Sequence, residues 1–355
     1  KAYGLDRRPI ELLGSRLSDD GLQLIGEPFT LLKDDERIGL EGQYHFKQGD
    51  YYYVIYSAKS CCGPSSDYDV RVARSQNFRG PYEKYAGNPI LSGGNGDFLS
   101  CGHGTAVETP DGRMFYLSHG YQSGDAFYLG RQPILHELID TDDEWLAFKS
   151  GKHATIRQPV PFTGTAQLAL ADFNDDFFGK SLKVDWTWNY PYSSIDVTPG
   201  NGSLILTGVP SAGTKQGTVL CLRPQTTSYS YETQVGNTNG SLKGLTMYGD
   251  DRNMVVIGVQ HNELIVKRVK DGRETTLSRS ETESTHLFLK IKVSNGCMLT
   301  FFHSPDGKSW YRVNDTPLDG SFLVRWDRVA RPGLIHRGRT NEPAVFNYFN
   351  LNHIH

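Results

Sequence analysis

The feature that most restricts this chain is its punctuation. Asp-Gly or Gly-Asp pairs fall at 20–21, 49–50, 111–112, 271–272, 306–307 and 319–320, with short apolar or aromatic runs between them. Such pairs accept the backbone conformations of tight hairpin turns. The runs are YYYVIYS (51–57), YDVRVARS (68–75), RMFYLSH (113–119), AFYLGR (126–131), SLILTG (203–208), NMVVIGV (253–259), ELIVKRV (263–269), LFLKIKV (287–293) and MLTFFHS (298–304). No long stretch repeats with a period of 3.6, and ILHELID (134–140) is the best short helix candidate. With 19 Tyr, 17 Phe and 38 Gly, the composition also suits strands and turns. The expectation is an all-β protein.

A chain of 355 residues has room for more than one domain with a sizeable core. Its 37 Lys and Arg against 40 Asp and Glu leave a net charge of −3, so no broad basic field exists and nucleic acid is not expected as a partner. No apolar run reaches the roughly 20 residues of a membrane helix, so no membrane span is expected. Residues 1–14, KAYGLDRRPIELLG, carry no signal-peptide pattern. The five cysteines include an adjacent pair, Cys61 and Cys62, and show no zinc-like spacing. Sequons at Asn201, Asn239 and Asn314 permit a secreted glycoprotein and do no more than that.

Residues 1–165 contain a weak repeat. EGQYHFKQGDYYYVIYS followed by YDVRVARSQNFRGPYEK has the same plan as GHGTAVETPDGRMFYLSHG followed by AFYLGRQPILHEL. Each unit has a polar head, a turn, an aromatic strand, and a strand ending in arginine. Several short strands per unit, at a period of roughly 45–65 residues, suit propeller blades. Glu41 and His103 are expected at equivalent places, where an innermost strand begins beside the axis. Near 160–172 the pattern changes, and residues 172–355 read as longer alternating strands of a β-sandwich.

These segments resemble glycoside hydrolase family 43. LEGQYHFKQGDYYYVIYSA with YDVRVARSQNFRGPYE, CGHGTAVETPDGRMFYLSHG and LGRQPILHELI are similar to that family's propeller segments. FNDDFFGKSLKVDWTWNYP, FFHSPDGKSWYRV and VFNYFNL are similar to the concanavalin-like sandwich appended to many of its β-xylosidases and α-L-arabinofuranosidases. The resemblance implies a five-bladed propeller, of which this chain would hold about three blades, followed by that sandwich. It also implies an inverting glycosidase with two aspartates and one glutamate acid, and only the glutamate maps here, onto Glu41. Asp6, Asp19, Asp20, Asp34 and Asp35 do not lie in the family's aspartate motifs, and Gln43 stands where proline is usual. The chain would then begin inside the propeller and need a companion N-terminal segment of about 150–200 residues, by analogy with family length.

An inverting enzyme sets its acid and base roughly 6.5–9.5 Å apart, with water between them. The acid must hold its proton near neutral pH, which burial favours, and Tyr44 is a candidate to supply that burial. The plainer reading of Glu41 is an exposed strand-end glutamate. His103, between two glycines, is the family's pocket histidine, linked there to water around a central calcium; otherwise it is a turn or core residue. Arg131 offers a guanidinium fork for sugar hydroxyls or a carboxylate. His119 and His136 read as rim or packing residues. Some arabinan-degrading relatives share a Cys-Cys like Cys61-Cys62, which would form a stiff vicinal disulfide beside the sugar. Two free thiols, or a Cys62–Cys101 bridge, are the alternatives. Trp145, Trp186 and Trp188 are candidates for sugar stacking, the last two expected on one face of a strand. Asp175 or Asp176 with Asn347 would supply oxygens to a structural calcium.

Two functions follow. One is an exo-acting glycosidase, extracellular or periplasmic, that removes arabinofuranosyl or xylosyl units from plant cell-wall polysaccharide without a required cofactor. The other is a carbohydrate-binding or inactive relative.

Overall fold

The computed structural model describes residues 10–159, 170–190 and 192–354. It divides into two compact units, one comprising Lys1–Phe127 with Arg131–Thr165, the other Tyr128–Gly130 with Ala166–His355. The expected boundary at 160–172 falls largely on residues 160–169, outside the described set.

In the first unit β1 (Glu11–Leu17) and β2 (Leu24–Lys33) form a two-stranded sheet. A second sheet runs β3 (Leu40–Gln48), β4 (Tyr51–Ala58), β5 (Asp69–Ser75), β6 (Glu83–Lys84), with β7 (Leu91–Ser92) also on β5. A third orders β8 (Phe98–Glu108), β9 (Met114–Gln122), β10 (Arg131–Asp140) and β11 (Leu146–Phe148) from one edge to the other. All pairs among these strands are antiparallel.

The tyrosine-rich run is explained by β4, a strand buried on both faces. Tyr53 and Ile55 join a cluster with Tyr116, Ile134 and Phe148 of the third sheet. Val54 and Tyr56 point the other way, into a cluster with Leu12 and Leu32 of the first. A strand sealed on both sides loses the polar alternation of a half-exposed one, so the sequence reads as a continuous apolar run.

The expected helix at 134–140 is instead part of β10. Ile134, His136 and Leu138 are buried in alternation and the strand pairs with β9 at eight positions. That period of two, with Pro133 unable to donate a backbone bond, outweighs the helical propensity of Leu and Glu. Conversely, the expected strand at 126–131 is a 3-10 segment, Gly124–Leu129.

The second unit is a two-sheet sandwich. One sheet contains β12 (Phe173–Asp175), β14 (Ser193–Gly200), β15 (Ser203–Pro210), β17 (Tyr229–Gly236), β22 (His286–Ser294), β23 (Met298–Ser304), β24 (Tyr311–Arg312), β25 (Leu318–Asp319) and β27 (Ala344–His353). The other contains β13 (Thr187–Trp188), β16 (Thr218–Cys221), β18 (Leu242–Asp250), β19 (Asn253–Gln260), β20 (Glu263–Lys270), β21 (Arg273–Glu281) and β26 (Arg331–Arg337). Alternate residues of both sheets fill one core, among them Leu206, Tyr231, Ile257, Leu289, Phe301 and Phe346. Each fully buried aliphatic or aromatic side chain contributes about 1.5–3 kcal/mol.

Trp186 and Trp188 do not share a face. The strand begins only at Thr187, so Trp186 turns into this core while Trp188 is 43% exposed. Among the described residues no helix is long and apolar enough to cross a membrane.

Candidate active site

The head of β3 and the middle of β8 each carry a bulge of one extra residue, and β8 has a second near its start, between Phe98 and Ser100. Along β3, Glu41 faces Ser57 and Tyr44 faces Ile55, so three steps oppose two. Along β8, Gly102 faces His119 and Thr105 faces Leu117, with the same surplus. At each of these two bulges one residue takes a positive φ, Gly42 at 59° and His103 at 53°. The repeat is therefore real but offset by one from the expected pairing. Gly42 matches His103, and Glu41 matches Gly102. A bulge re-aims the side chains beside it, and here the re-aimed carboxyl is Glu41.

The approach to β3 is fixed by Asp34. This buried carboxylate accepts the backbone N–H groups of Ile38 at 3.0 Å and Gly39 at 2.7 Å. Such bonds stabilise an anion out of water and hold the turn that delivers Leu40 and Glu41.

The half-buried Glu41 accepts a hydrogen bond on Oε1 from the Tyr68 hydroxyl at 2.8 Å. Tyr68 is 1% exposed. Burial, and then the Glu41 charge beside it, push its phenol well above the usual range, so it stays a donor. The ring has room because residue 102 is glycine; a Cβ there would lie 2.6 Å from the Tyr68 ring and 2.9 Å from Ser57 Oγ. A Cβ on Gly42 would likewise lie 2.7 Å from His103 Cγ. Ser57 Oγ accepts the His103 backbone N–H at 2.7 Å, and Tyr116 Oη accepts that of Gly104 at 2.9 Å. The two bulges thus interlock.

Arg131 and His119 meet on the same side. Arg131 Nη1 lies 3.2 Å from His119 Nε2; a guanidinium only donates, so the imidazole accepts there and carries its proton on Nδ1. Burial, then the Arg131 charge, then His103, push His119 down to about 4, with Glu41 opposing. It is neutral at ordinary pH. Its ring stacks on Tyr68 at 6.0 Å and lies 6.1 Å from the His103 ring. Glu41, Tyr68, His103, His119 and Arg131 are therefore one cluster.

Tyr44 is not part of the Glu41 contact. It packs on Phe46 at 5.7 Å and against the cluster of Tyr53 and Ile55, because the bulge turns it toward the neighbouring sheet. Cys61 and Cys62 form a vicinal disulfide. Its loop leaves β4 just after Ser57 and returns at Tyr68, so both of its ends are anchored by residues of the cluster. Ser66 Oγ ties that loop to Ser100 Oγ at 2.6 Å. Cys101 is buried and free, its thiol pushed up to about 12 by burial first. His136 is fully buried and accepts the Thr155 N–H. Trp145 is buried too, stacked on Tyr85 and covered by the Arg74 guanidinium.

The expected calcium oxygens lie apart in role. Asp175 spends its oxygens on the Phe177 N–H at 3.2 Å and Trp186 Nε1–H at 2.8 Å, whereas Asn347 is exposed on β27. Among the described residues no group of three or more His, Cys, Asp or Glu is placed to hold a metal ion.

Sequence reasoning missed Ser57 and Tyr68 and undervalued His119. Ser57 and Tyr68 flank the Cys-Cys loop, but nothing in a one-dimensional pattern joins Tyr68 to Glu41 across 27 residues. Chemically, the cluster combines a carboxyl that accepts from a buried phenol, a neutral imidazole and a fixed cation. It suits proton donation to an oxygen and recognition of hydroxyls.

Residues 2–146 match the family model described as "Glycosyl hydrolases family 43", and residues 174–333 match "Beta xylosidase C-terminal Concanavalin A-like domain". The chain is 26% identical over 340 residues to a xylan 1,3-beta-xylosidase of a Vibrio species, covering 85% of this chain and 62% of that protein. It is also 26% identical over 286 residues to a non-reducing end alpha-L-arabinofuranosidase of Bacteroides ovatus, covering 72% and 53% respectively. It thus spans less than two thirds of these curated relatives. In fold it is similar to the crystal structure of a family 43 protein from Bacillus licheniformis, with a TM-score of 0.81 at 23% identity over 97% of this chain and 71% of that one.

Proposed function

We propose, from the match of residues 2–146 to the glycosyl hydrolases family 43 model and of residues 174–333 to the β-xylosidase concanavalin A-like domain, that the chain is the acid-bearing part of an exo-acting, inverting glycosidase. Its substrates are terminal α-L-arabinofuranosyl or β-D-xylosyl residues of plant cell-wall polysaccharide, met outside the cytoplasm. The relatives named above as a xylosidase and an arabinofuranosidase support that sugar class.

One observation carries the reading: the Glu41 carboxyl sits at the head of β3 with Oε1 accepting from a buried phenol. In this mechanism Glu41 gives its proton to the departing glycosidic oxygen. Tyr68 is a positioning residue. Arg131, oriented by His119, binds sugar hydroxyls, and the Cys61–Cys62 loop forms part of the wall around them. The carboxylate that activates water is assigned to a segment outside these 355 residues. The apolar side chains that β1 and β2 leave exposed, Leu13 at 54% and Leu24 at 73% among them, support such a segment packing there, since exposed apolar patches mark interaction surfaces.

The test is Glu41→Gln in the longest natural form of the polypeptide, assayed on arabinofuranosides and xylopyranosides with graded leaving groups. Turnover should collapse for poor leaving groups and survive in part for nitrophenol, which needs little protonation. Equal rates for variant and wild type across the series would remove Glu41 from the mechanism. Sugar binding with no turnover in any form would favour the binding-protein reading.

A further inference from the structure

The three Asn-x-Ser/Thr sequons are chemically alike in sequence and unlike in the fold. At Asn314 the side-chain amide is fully committed. Nδ2 donates to the Leu299 carbonyl at 3.1 Å and the Thr316 carbonyl at 2.7 Å, and Oδ1 accepts the Phe301 N–H at 2.9 Å. An N-glycosylated asparagine keeps one amide hydrogen, so it cannot make both donations.

Asn239 is committed in another way. Nδ2 donates to the Pro343 carbonyl at 2.8 Å, while Oδ1 accepts from the Ser241 hydroxyl at 2.7 Å and from Lys243 Nζ at 2.9 Å. Lys243 is fully buried and Ser241 is 2% exposed. Moving Asn239 outward to carry a sugar would strip a buried ammonium of acceptors, and buried charges tolerate that poorly.

Asn201 has none of these duties. Strands β14 and β15 pair through Gly200 and Ser203, leaving Asn201-Gly202 as a two-residue hairpin turn. Both turn residues have positive φ, 53° and 77°, the type I′ geometry that Asn-Gly favours. Asn201 is exposed, and β14 is an edge strand, so the turn is at a corner of the sheet. Beside it sits Phe178, 70% exposed, with ring atoms 3.0–3.5 Å from where a Cβ on Gly202 would be. A bare phenyl ring on a turn is an apolar face that the first sugar of a glycan would cover.

We propose that Asn201 is an N-glycan acceptor, with Phe178 as the platform for its first sugar, and that Asn239 and Asn314 are structural. In the transfer, Asn201 Nδ2 attacks the anomeric carbon of a lipid-pyrophosphate-linked oligosaccharide. The C–N bond forms, the C–O bond to pyrophosphate breaks, and the Nδ2 proton is lost. That reaction meets the chain before folding, so the fold selects by what it can keep. A chain modified at 314 cannot make both donations, and one modified at 239 must turn its amide away from Ser241 and the buried Lys243.

The experiment is secretion of the whole chain from yeast, followed by deglycosylation in 18O-water and peptide mapping. The expected result is a mass-marked Asn201 with unmarked Asn239 and Asn314 in the folded pool. Asn201→Asp, which keeps a residue tolerant of the left-handed turn position and matches the product of deglycosylation, should remove the whole glycan mass without lowering the unfolding midpoint of deglycosylated protein. Asn239→Gln and Asn314→Gln should each lower it. Phe178→Ala should lower the midpoint of the glycosylated form alone. An empty Asn201, or a glycan on 239 or 314 in folded protein, overturns the assignment. If none is secreted, the same map of the protease-resistant cellular pool decides it by those criteria.

Discussion

The bulges at Glu41–Tyr44 of β3 and Gly102–Thr105 of β8 are the same backbone device used twice. Each adds one residue, and each passes through a positive φ at the same register. In the first, glycine takes the strained position and the residue before it is a glutamate. In the second, histidine takes the strained position and the residue before it is glycine. The exchange is reciprocal in space: Gly42 makes room for His103, and Gly102 makes room for the Tyr68 that holds Glu41. The fold supplies two equivalent seats. Chemistry is decided by which seat carries a side chain and which stays empty for the neighbour.

The largest effect should come from deleting the acid. Glu41→Gln is expected to lower kcat on poor leaving groups by about 10²–10⁴-fold, the usual worth of a positioned proton donor. Breaking the reciprocity comes next. Gly102→Ala puts a methyl 2.6 Å from the Tyr68 ring, so Tyr68 must leave Glu41 or the bulge must open. The expected cost is about 1–3 kcal/mol of stability, read as a lower unfolding midpoint, with a parallel rate loss. If both stay unchanged, the interlock is not what holds the acid.

Tyr68→Phe sharpens the comparison without changing the backbone. It removes one hydrogen bond to a carboxylate, about 1.5–3 kcal/mol. The loss should appear in kcat with poor leaving groups and little with nitrophenyl glycosides. A purely structural tyrosine would depress both alike.

Acidification separates the region of these sheets by charge. His119 and His136 are both held down to about 4, chiefly by burial, against an ordinary 6.5. Between those values the unfolded chain binds protons that the folded chain refuses, so stability falls as pH drops from 6.5 toward 4. Removing the Arg131 charge with Arg131→Met should raise the His119 titration midpoint, visible by NMR. No movement would mean that burial alone sets it. The smallest effect is expected from Tyr44→Phe, whose ring packs on Phe46 away from Glu41; rates should be near wild type.

Much of the chain could be read in one dimension because its signals are local. Turn pairs such as Asp111-Gly112 and Asp271-Gly272 do bring positive φ at the turn glycines, 79° and 83°, and most aromatic runs became the strands expected. Errors arose where burial overrode propensity. The segment 134–140 reads as helical from Leu and Glu, yet alternate burial of Ile134, His136 and Leu138 makes it a strand. WTW reads as one face, yet Trp186 lies just before its strand.

By itself, then, the sequence determined the β class, the order of the two units, the repeat in the first, and Glu41 as the carboxyl to watch. Turn chemistry and side-chain alternation act over a few residues, so they survive in the linear text. Only tertiary structure decided that Tyr68 meets Glu41, that Arg131 fixes His119, that Cys61 bonds Cys62, and that Asn201 is open while Asn239 and Asn314 are not. Those outcomes depend on which strands lie side by side, and a one-residue bulge is enough to swap the partner of every side chain near it.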